Sequence, residues 1–223
     1  PLIARCQGRT LSPPMITLES YVCGRWQPGT GTPRLLYNPT TEEEMALCNS
    51  DGVDFAAVVA HARDTGGPAL RELGFGQRAA MLKALSATLY EKRDELIAVS
   101  TSNGGNTRGD AKFDIDGATG TLAAYAHYAR SLGERKILPD GEGVQLGRTA
   151  RFWGQHILSP RVGVAVHINA FNFPAWGFGE KAAVALLAGV PVLCKPATST
   201  ALLTVRMFEI LVDAQVLPEG AIS

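Results

Sequence analysis

The sequence predicts an α/β protein that contains a strand–helix–strand unit of an open parallel sheet. Two apolar runs, 161–167 and 190–194, are typical of buried strands, and the segment 176–188 between them can form a single helix. Each run gives way to a loop at its carboxyl end, which is the edge where open α/β sheets bind ligands. With 223 residues, 46% of them hydrophobic, the chain is long enough to bury a core around this unit.

The composition excludes several kinds of partner. The 21 basic and 21 acidic residues cancel, so nothing predicts a nucleic-acid partner or binding to an anionic membrane surface. The longest apolar stretch, 182–194, is too short to span a bilayer and contains Gly189 and Pro191. The cysteines follow no metal-binding or redox spacing, which favours a reduced, cytoplasmic setting and predicts no metal site.

The N-terminal part is predicted to mix strands with helices. Alternating residues favour a strand over 17–26 and a second over 35–37. Apolar residues at helical spacing predict three helices. The first is capped by Ser50 or Asp51 and stops at 66–68. The second covers 77–100 and ends at a glycine break, and the third covers 114–132.

The remaining elements follow from turn residues and apolar runs. Glycine and charge predict a loop over 138–147, and a β-like run over 151–158 ends at a proline. A last helix is expected over 200–214, and residues 220–223 resemble the start of another strand. Because two strands make a poor α/β core, we expect this chain to be the front part of a longer polypeptide.

Asn172 follows the first strand of the unit, in a loop at its carboxyl end. A side-chain amide on a rigid loop can donate a hydrogen bond to an oxyanion that develops during carbonyl chemistry. Asparagine also bonds its own backbone in turns, and the residue pattern alone favours this structural role.

Lys195 ends the second strand and could pair with a ribose hydroxyl or a phosphate as a point charge. A solvated lysine is the simpler interpretation of the pattern. The loop after the first strand contains no Gly-x-Gly-x-x-Gly, so a standard phosphate-binding turn is absent at this position.

Other polar groups are interpreted as structural. Cys194 lies in an apolar run and is expected to be a small core residue, and Cys23 is expected in a strand. Glu180 and Lys181 are expected to be solvated. The aspartates of one helical segment are interpreted as capping and surface charges: Asp110, Asp114 and Asp116.

Five short signatures in a fixed order resemble the aldehyde dehydrogenase superfamily. They are Pro160-Arg161-Val162-Gly163-Val164, Asn172-Phe173-Pro174, Leu187-Ala188-Gly189, Lys195-Pro196-Ala197 and Leu217-Pro218-Glu219-Gly220. Further residues, among them 167–174 and 114–117, are similar to one branch, the phenylacetate-degradation bifunctional protein and the related dehydrogenase of benzoyl-CoA oxidation. Members of this branch oxidise CoA-linked semialdehydes that arise from aromatic ring cleavage.

The resemblance implies roles for particular residues. Asn172 would donate to the oxyanion of the thiohemiacetal, and Lys195 would reach the adenosine ribose of the cofactor. Thr198 stands where many NAD-preferring members carry a Glu, so NADP is favoured and NAD stays possible. The remaining residues implied to line or frame the cofactor are Ile168, Asn169, Ala170, Phe171, Pro196 and Ala197.

The resemblance also implies a division of the chain. It makes 15–150 the N-terminal strand and helical part of the cofactor-binding domain, 151–160 an oligomerisation strand, and 161–223 a truncated Rossmann-like βαβα segment. Residues 1–14 contain no acidic residue and no hydrophobic signal-peptide core and precede Met15, so their composition itself favours an extension or cloning remnant outside the fold. A homo-oligomer is expected for the full-length protein. The nucleophilic Cys and general-base Glu of the family would lie beyond Ser223, so the chain alone is expected to be inactive.

Two alternatives stay open at this point. The chain could be a non-catalytic domain that binds a dinucleotide or a partner. It could also belong to a dehydrogenase of free aliphatic aldehydes, because the residues that select the substrate lie partly outside it.

Overall fold

The computed structural model describes residues 15–223, so the predicted extension 1–14 lies outside the described residues. Within the described part the strands are, in chain order, β1 (Ile16–Leu18), β2 (Ser20–Val22), β3 (Arg25–Gln27), β4 (Arg34–Tyr37), β5 (Glu44–Cys48), β6 (Leu138–Gln145), β7 (Trp153–Leu158), β8 (Ala165–Ile168) and β9 (Val192–Lys195). The α-helices are α1 (Phe55–His61), α2 (Gly67–Glu72), α3 (Phe75–Glu91), α4 (Arg93–Gly104), α5 (Arg108–Ala129), α6 (Pro174–Leu187) and α7 (Ala201–Asp213). Among residues 15–223, no helix is long and apolar enough to cross a membrane.

The N-terminal strands form two small sheets. In the first, β5 pairs in parallel with β1 and antiparallel with β4, and β2 and β3 form a separate antiparallel hairpin. The prediction of one strand over 17–26 is wrong, because Cys23 (φ 50°) and Gly24 (φ 73°) turn the chain between β2 and β3. The predicted strand over 35–37 is confirmed within β4, whereas β5 has no counterpart among the predicted strands.

The first predicted helix is present with different ends. Its N-cap is Asp54, whose side chain accepts a hydrogen bond from a backbone amide of the first turn, so the prediction of Ser50 or Asp51 as the cap is wrong. The predicted stop at 66–68 is also wrong. A π-helical segment, Ala62–Gly66, carries the chain directly from α1 into α2.

The two longer predicted helices are also modified. The helix expected over 77–100 is divided into α3 and α4, because the backbone leaves the helical region at Lys92 (φ −99°, ψ 15°). The glycine break after α4 is confirmed, with Gly105 in the left-handed region (φ 68°). The helix expected over 114–132 starts earlier, because Thr107 caps α5 with its side chain.

One hydrophobic core joins α3, α5, α6 and α7 to the sheet that β8 and β9 form. Leu82, Leu122 and Phe178 are fully buried in it. A Cβ placed on Gly179 of α6 would lie 2.8 Å from the Cα of Ala118 in α5, so these two helices touch through their backbones. This close contact fixes the start of α6 relative to α5.

The predicted strand–helix–strand unit is confirmed. β8 and β9 pair in parallel, and their register sets Ile168 opposite Lys195. The predicted start of a third strand is confirmed as well, because Ile222 bridges Val192 in parallel and the Ser223 carbonyl accepts from the Cys194 amide at 2.7 Å. The chain therefore has the α/β architecture that the sequence predicts.

In the sequence, a hairpin of β6 and β7 lies between α5 and β8, the first strand of the parallel sheet. The predicted loop over 138–147 is wrong, because most of that segment pairs with β7. The β-like run expected over 151–158 is confirmed as β7 from Trp153 onward. Most residues of this hairpin are exposed, including large apolar ones.

Candidate functional site

The loop of residues 169–173 connects the end of β8 to the start of α6. Asn172 is exposed near the end of this loop, and Pro174 occupies the first turn of α6. Proline suits this position, since the amide it lacks would have no partner inside the helix. Across the described residues the Asn172 amide makes no hydrogen bond with its own backbone or another side chain, so it is available to a ligand.

The start of this loop is held by Asn169. Its backbone amide donates to the carbonyl of Lys195 at 3.0 Å, and its side-chain Nδ2 donates to the Cys194 sulfur at 3.4 Å. The residue is 6% exposed, so its side chain is directed into the fold. Any contact between Asn169 and a cofactor would therefore be made by the main-chain atoms of Asn169.

The end of the loop is held by a carboxylate from α5. Asp114 accepts hydrogen bonds from the backbone amides of Ala175 (3.2 Å) and Trp176 (2.7 Å) in the first turn of α6. Burial raises the pKa of the Asp114 carboxyl, and the two backbone hydrogen bonds oppose that rise. Asp114 thus caps α6 and not the helix that carries it, which the sequence did not predict, and the expected surface position is wrong because Asp114 is fully buried.

The other two aspartates of this segment meet the expectation of surface charges. Asp110 accepts a hydrogen bond from the Thr107 hydroxyl at the start of α5. Asp116 pairs with Arg93, whose guanidinium lowers the pKa of that carboxyl. Across residues 15–223, no group of three or more acidic, His or Cys side chains could hold a metal ion.

A cavity of about 810 Å³ lies against the face of the sheet that carries Ile168 and Lys195. Pro196 and Thr198 also line it, so four of the eight residues predicted to contact the cofactor meet around one space. The other four do not line this cavity: Asn169, Ala170, Phe171 and Ala197. Lys195 is exposed at the last position of β9, and Thr198 begins a short 3₁₀ turn, Thr198–Thr200.

An aromatic cluster beside Asn172 was not predicted from the sequence. Phe113 of α5 lies 5.2 Å from Trp176 and 6.1 Å from Phe173, measured between ring centroids, and all the pairs meet edge to face. Phe113 is 57% exposed. The available signal was this phenylalanine between Lys112 and Asp114, a large apolar residue on an otherwise polar stretch of helix.

A second cleft on the opposite face of the sheet contains His167, Glu180 and Lys181. Burial, and then the charge of Lys181, lower the pKa of His167. Burial also raises the pKa of the Cys194 thiol to about 12, and Cys194 packs against the core as the sequence predicts. The expectation of a strand position for Cys23 is wrong, because this residue lies in the turn after β2.

Fold and site together define a class of protein. It is an α/β protein of the Rossmann-like type, which carries an amide and an ammonium in the segments at the ends of two adjacent parallel strands. The model of the aldehyde dehydrogenase family matches residues 26–223, and the chain belongs to that family.

Individual relatives agree with this assignment. The 3,4-dehydroadipyl-CoA semialdehyde dehydrogenase of Aromatoleum evansii is 50% identical over 206 residues, which cover 92% of this chain and 40% of that protein. Glutarate-semialdehyde dehydrogenase of Pseudomonas putida is 26% identical over 209 residues, covering 92% of this chain and 41% of that protein. The chain thus spans about 40% of the length of these curated relatives.

A solved structure shows the same fold. Lactaldehyde dehydrogenase from Escherichia coli superposes with a TM-score of 0.81 at 23% identity, covering 93% of this chain and 42% of that one.

Proposed function

We propose that this chain is part of an NADP-dependent aldehyde dehydrogenase that oxidises a CoA-linked semialdehyde to the acid in aromatic catabolism. One observation carries the proposal. The free Asn172 amide stands on a loop that is hydrogen-bonded at both ends, to the partly buried Cys194 and the buried Asp114, next to the strand that ends in Lys195. A fixed donor of this kind is what carbonyl chemistry requires where negative charge develops on oxygen.

The proposed role of Asn172 is to stabilise that charge. Attack of a thiolate on the aldehyde carbonyl forms the C–S bond and converts the carbonyl oxygen into an oxyanion. The Asn172 Nδ2 group would donate a hydrogen bond to this oxygen. Because the loop is already fixed, the donor would need little reorganisation during the reaction.

The cavity against the sheet would hold the dinucleotide. Lys195 would donate to the adenosine ribose, with Pro196, Ala197 and Thr198 framing it, and 168–171 would lie beside the nicotinamide half. When bound, the cofactor supplies the acceptor for the aldehyde hydride. Thr198 brings no negative charge that would repel a 2′-phosphate, which favours NADP over NAD.

The proposal of a CoA-linked substrate is based on the relative from Aromatoleum evansii that is 50% identical, because its name specifies a CoA semialdehyde. We further propose that the nucleophilic Cys and general-base Glu come from the part of the relatives' length that this chain does not cover. Cys194 does not fit the nucleophile, because a thiol with a pKa of about 12 is almost entirely protonated at neutral pH. We therefore propose that the 223-residue chain alone shows no turnover. We also propose that the complete protein acts in the cytoplasm.

The hairpin of β6 and β7 supports a homo-oligomer of the complete protein. Large apolar side chains on it are exposed: Val144, Trp153, Ile157 and Leu158. By the strand register, Trp153 and Ile157 lie on one face of this hairpin and Val144 and Leu158 on the other. Exposed apolar surface commonly marks a protein–protein interface. We therefore propose that residues 151–160 take part in assembly, with a second copy of the protein as the partner.

The proposal is tested by assaying the complete protein with CoA-linked semialdehydes and with free aliphatic aldehydes, each with NADP and then with NAD. We expect the highest kcat/KM with a CoA-linked substrate and NADP. Activity on free aldehydes alone would contradict the substrate, and much tighter binding of NAD in a titration would contradict the cofactor. No oxidation of any aldehyde would favour the non-catalytic binding domain instead.

A further inference from the structure

The contact between α5 and the start of α6 contains a buried carboxyl group. Asp114 is 0% exposed, and among the described residues no Lys, Arg or His forms an ion pair with it. Its hydrogen-bonding partners are two backbone amides of another helix, those of Ala175 and Trp176. Burying a carboxylate is costly unless its oxygens are hydrogen-bonded, so this arrangement calls for a physical reason.

The start of α6 has no cap from its own sequence. The first amides of a helix have no partner inside the helix, and a Ser, Thr, Asp or Asn side chain just before it usually accepts from them. Here the N-cap position is Phe173, which has no side-chain acceptor. Asp114 supplies the missing acceptor from α5, and its charge is favoured by the positive end of the α6 dipole.

Three further contacts hold the same junction. The Trp176 indole Nε1 donates to the Thr121 hydroxyl of α5 at 3.0 Å. A Cβ on Gly117 would lie 2.6 Å from the Trp176 ring, so α5 leaves room only for glycine beneath that ring. The backbone contact of Gly179 with Ala118 continues this packing one turn further along α6. The first turn of α6 is thereby fixed against α5.

We propose that Asp114 is a positioning residue for Asn172. It fixes the first turn of α6 and so sets the direction in which the adjoining loop presents the Asn172 amide. Asn169 holds the other end of the loop through Cys194, which leaves the residues between the two anchors little freedom. The inference rests on the proposed function, since it assigns Asn172 the oxyanion as its target.

The test uses the complete protein with the variants Asp114→Asn, Asn172→Ala and the double variant. Asparagine preserves the size of the side chain but has only one acceptor oxygen. Its NH₂ group would face one of the two backbone N–H donors, so one of the two hydrogen bonds would be lost. We expect Asp114→Asn to lower kcat by roughly tenfold or more, with little change in the KM for the cofactor. In the Asn172→Ala background the same substitution should have almost no further effect on kcat, because it acts through Asn172.

Asp116→Asn is the matched control. It removes an aspartate of the same helix that pairs with Arg93 and does not contact α6, so kcat should change by less than about twofold. Asp114→Ser retains a single acceptor and provides a milder variant if Asp114→Asn does not fold. An unchanged kcat in Asp114→Asn, or an effect equally large with and without Asn172, would overturn the positioning role.

Hydrogen exchange separates this inference from the proposed function. Amide exchange of a peptide spanning 170–176 should accelerate in Asp114→Asn and stay unchanged in Asp116→Asn. Unaltered exchange in Asp114→Asn would overturn the inference even if the protein oxidises aldehydes. Accelerated exchange in a protein that oxidises none would overturn the proposed function and retain the anchoring by Asp114.

Discussion

The two segments that follow β8 and β9 start side by side, at Ile168 and Lys195, yet they are built differently. The loop after β8 is hydrogen-bonded at both ends, through Asn169 to the partly buried Cys194 and through the start of α6 to the buried Asp114. The segment after β9 follows the exposed Lys195, the last residue of that strand, and passes through a proline into a short 3₁₀ turn.

The difference corresponds to two kinds of recognition. A neutral amide stabilises a developing charge only when it is already aimed at the oxygen, which requires a rigid loop. A lysine is a flexible point charge that can follow a ligand, so its own strand end can stay open to solvent. We therefore expect substitutions in the loop after β8 to change kcat, and substitutions in the segment after β9 to change the affinity for the cofactor.

The largest expected contrast is between the neighbours Cys194 and Lys195. Burial raises the pKa of the Cys194 thiol to about 12, so at pH 8 its thiolate fraction is roughly three orders of magnitude below that of an ordinary thiol with pKa near 8.5. We expect Cys194 to resist iodoacetamide in the native chain while an amine reagent modifies Lys195, both followed by peptide mass spectrometry. Alkylation in denaturant is the control, and native alkylation at the rate of a free cysteine peptide would contradict the buried anchor.

The next effect is on catalysis. Asn172→Ala in the complete protein should lower kcat by about two to three orders of magnitude and leave the KM for the cofactor nearly unchanged, since only the oxyanion contact is lost. Steady-state kinetics with each substrate varied in turn measures both constants. A wild-type kcat, under conditions where chemistry limits the rate, would exclude the oxyanion role.

The sequence was sufficient for the parts of the fold that depend on local pattern. The apolar runs and the helix between them predicted β8, α6 and β9, and the resemblance connected Asn172 and Lys195 to one site. The sequence pattern could not predict β6, because that glycine-rich segment becomes a strand only through its pairing with β7. Nor could it assign Asp114, whose hydrogen-bonding partners lie 61 and 62 residues further along the chain.

The tight junction behind the first loop can be tested with glycine substitutions in α5. Gly117→Ala would place a Cβ 2.6 Å from the Trp176 ring, so we expect a net loss of about 1–2 kcal/mol in the free energy of unfolding. Gly120→Ala is the control, because a Cβ there meets nothing within 4 Å and alanine should stabilise the helix by about 1 kcal/mol. Urea unfolding of the chain measures both, and equal effects of the two substitutions would contradict a fixed junction.

The smallest predicted effect belongs to the open segment. Lys195→Gln removes a charge but preserves much of the side chain, so we expect the KM for NADP to rise about tenfold, which is the loss of one charge-assisted hydrogen bond. The kcat should change little, because the backbone carbonyl of Lys195, which holds Asn169, is preserved and its exposed side chain makes no hydrogen bond or ion pair among the described residues. Lys92→Gln, at an exposed lysine between α3 and α4, is the control and should leave both constants unchanged. If Lys195→Gln lowered kcat as strongly as Asn172→Ala, the ammonium would also contribute to the chemical step, and the division between a rigid loop for the reaction and an open segment for the cofactor would be wrong.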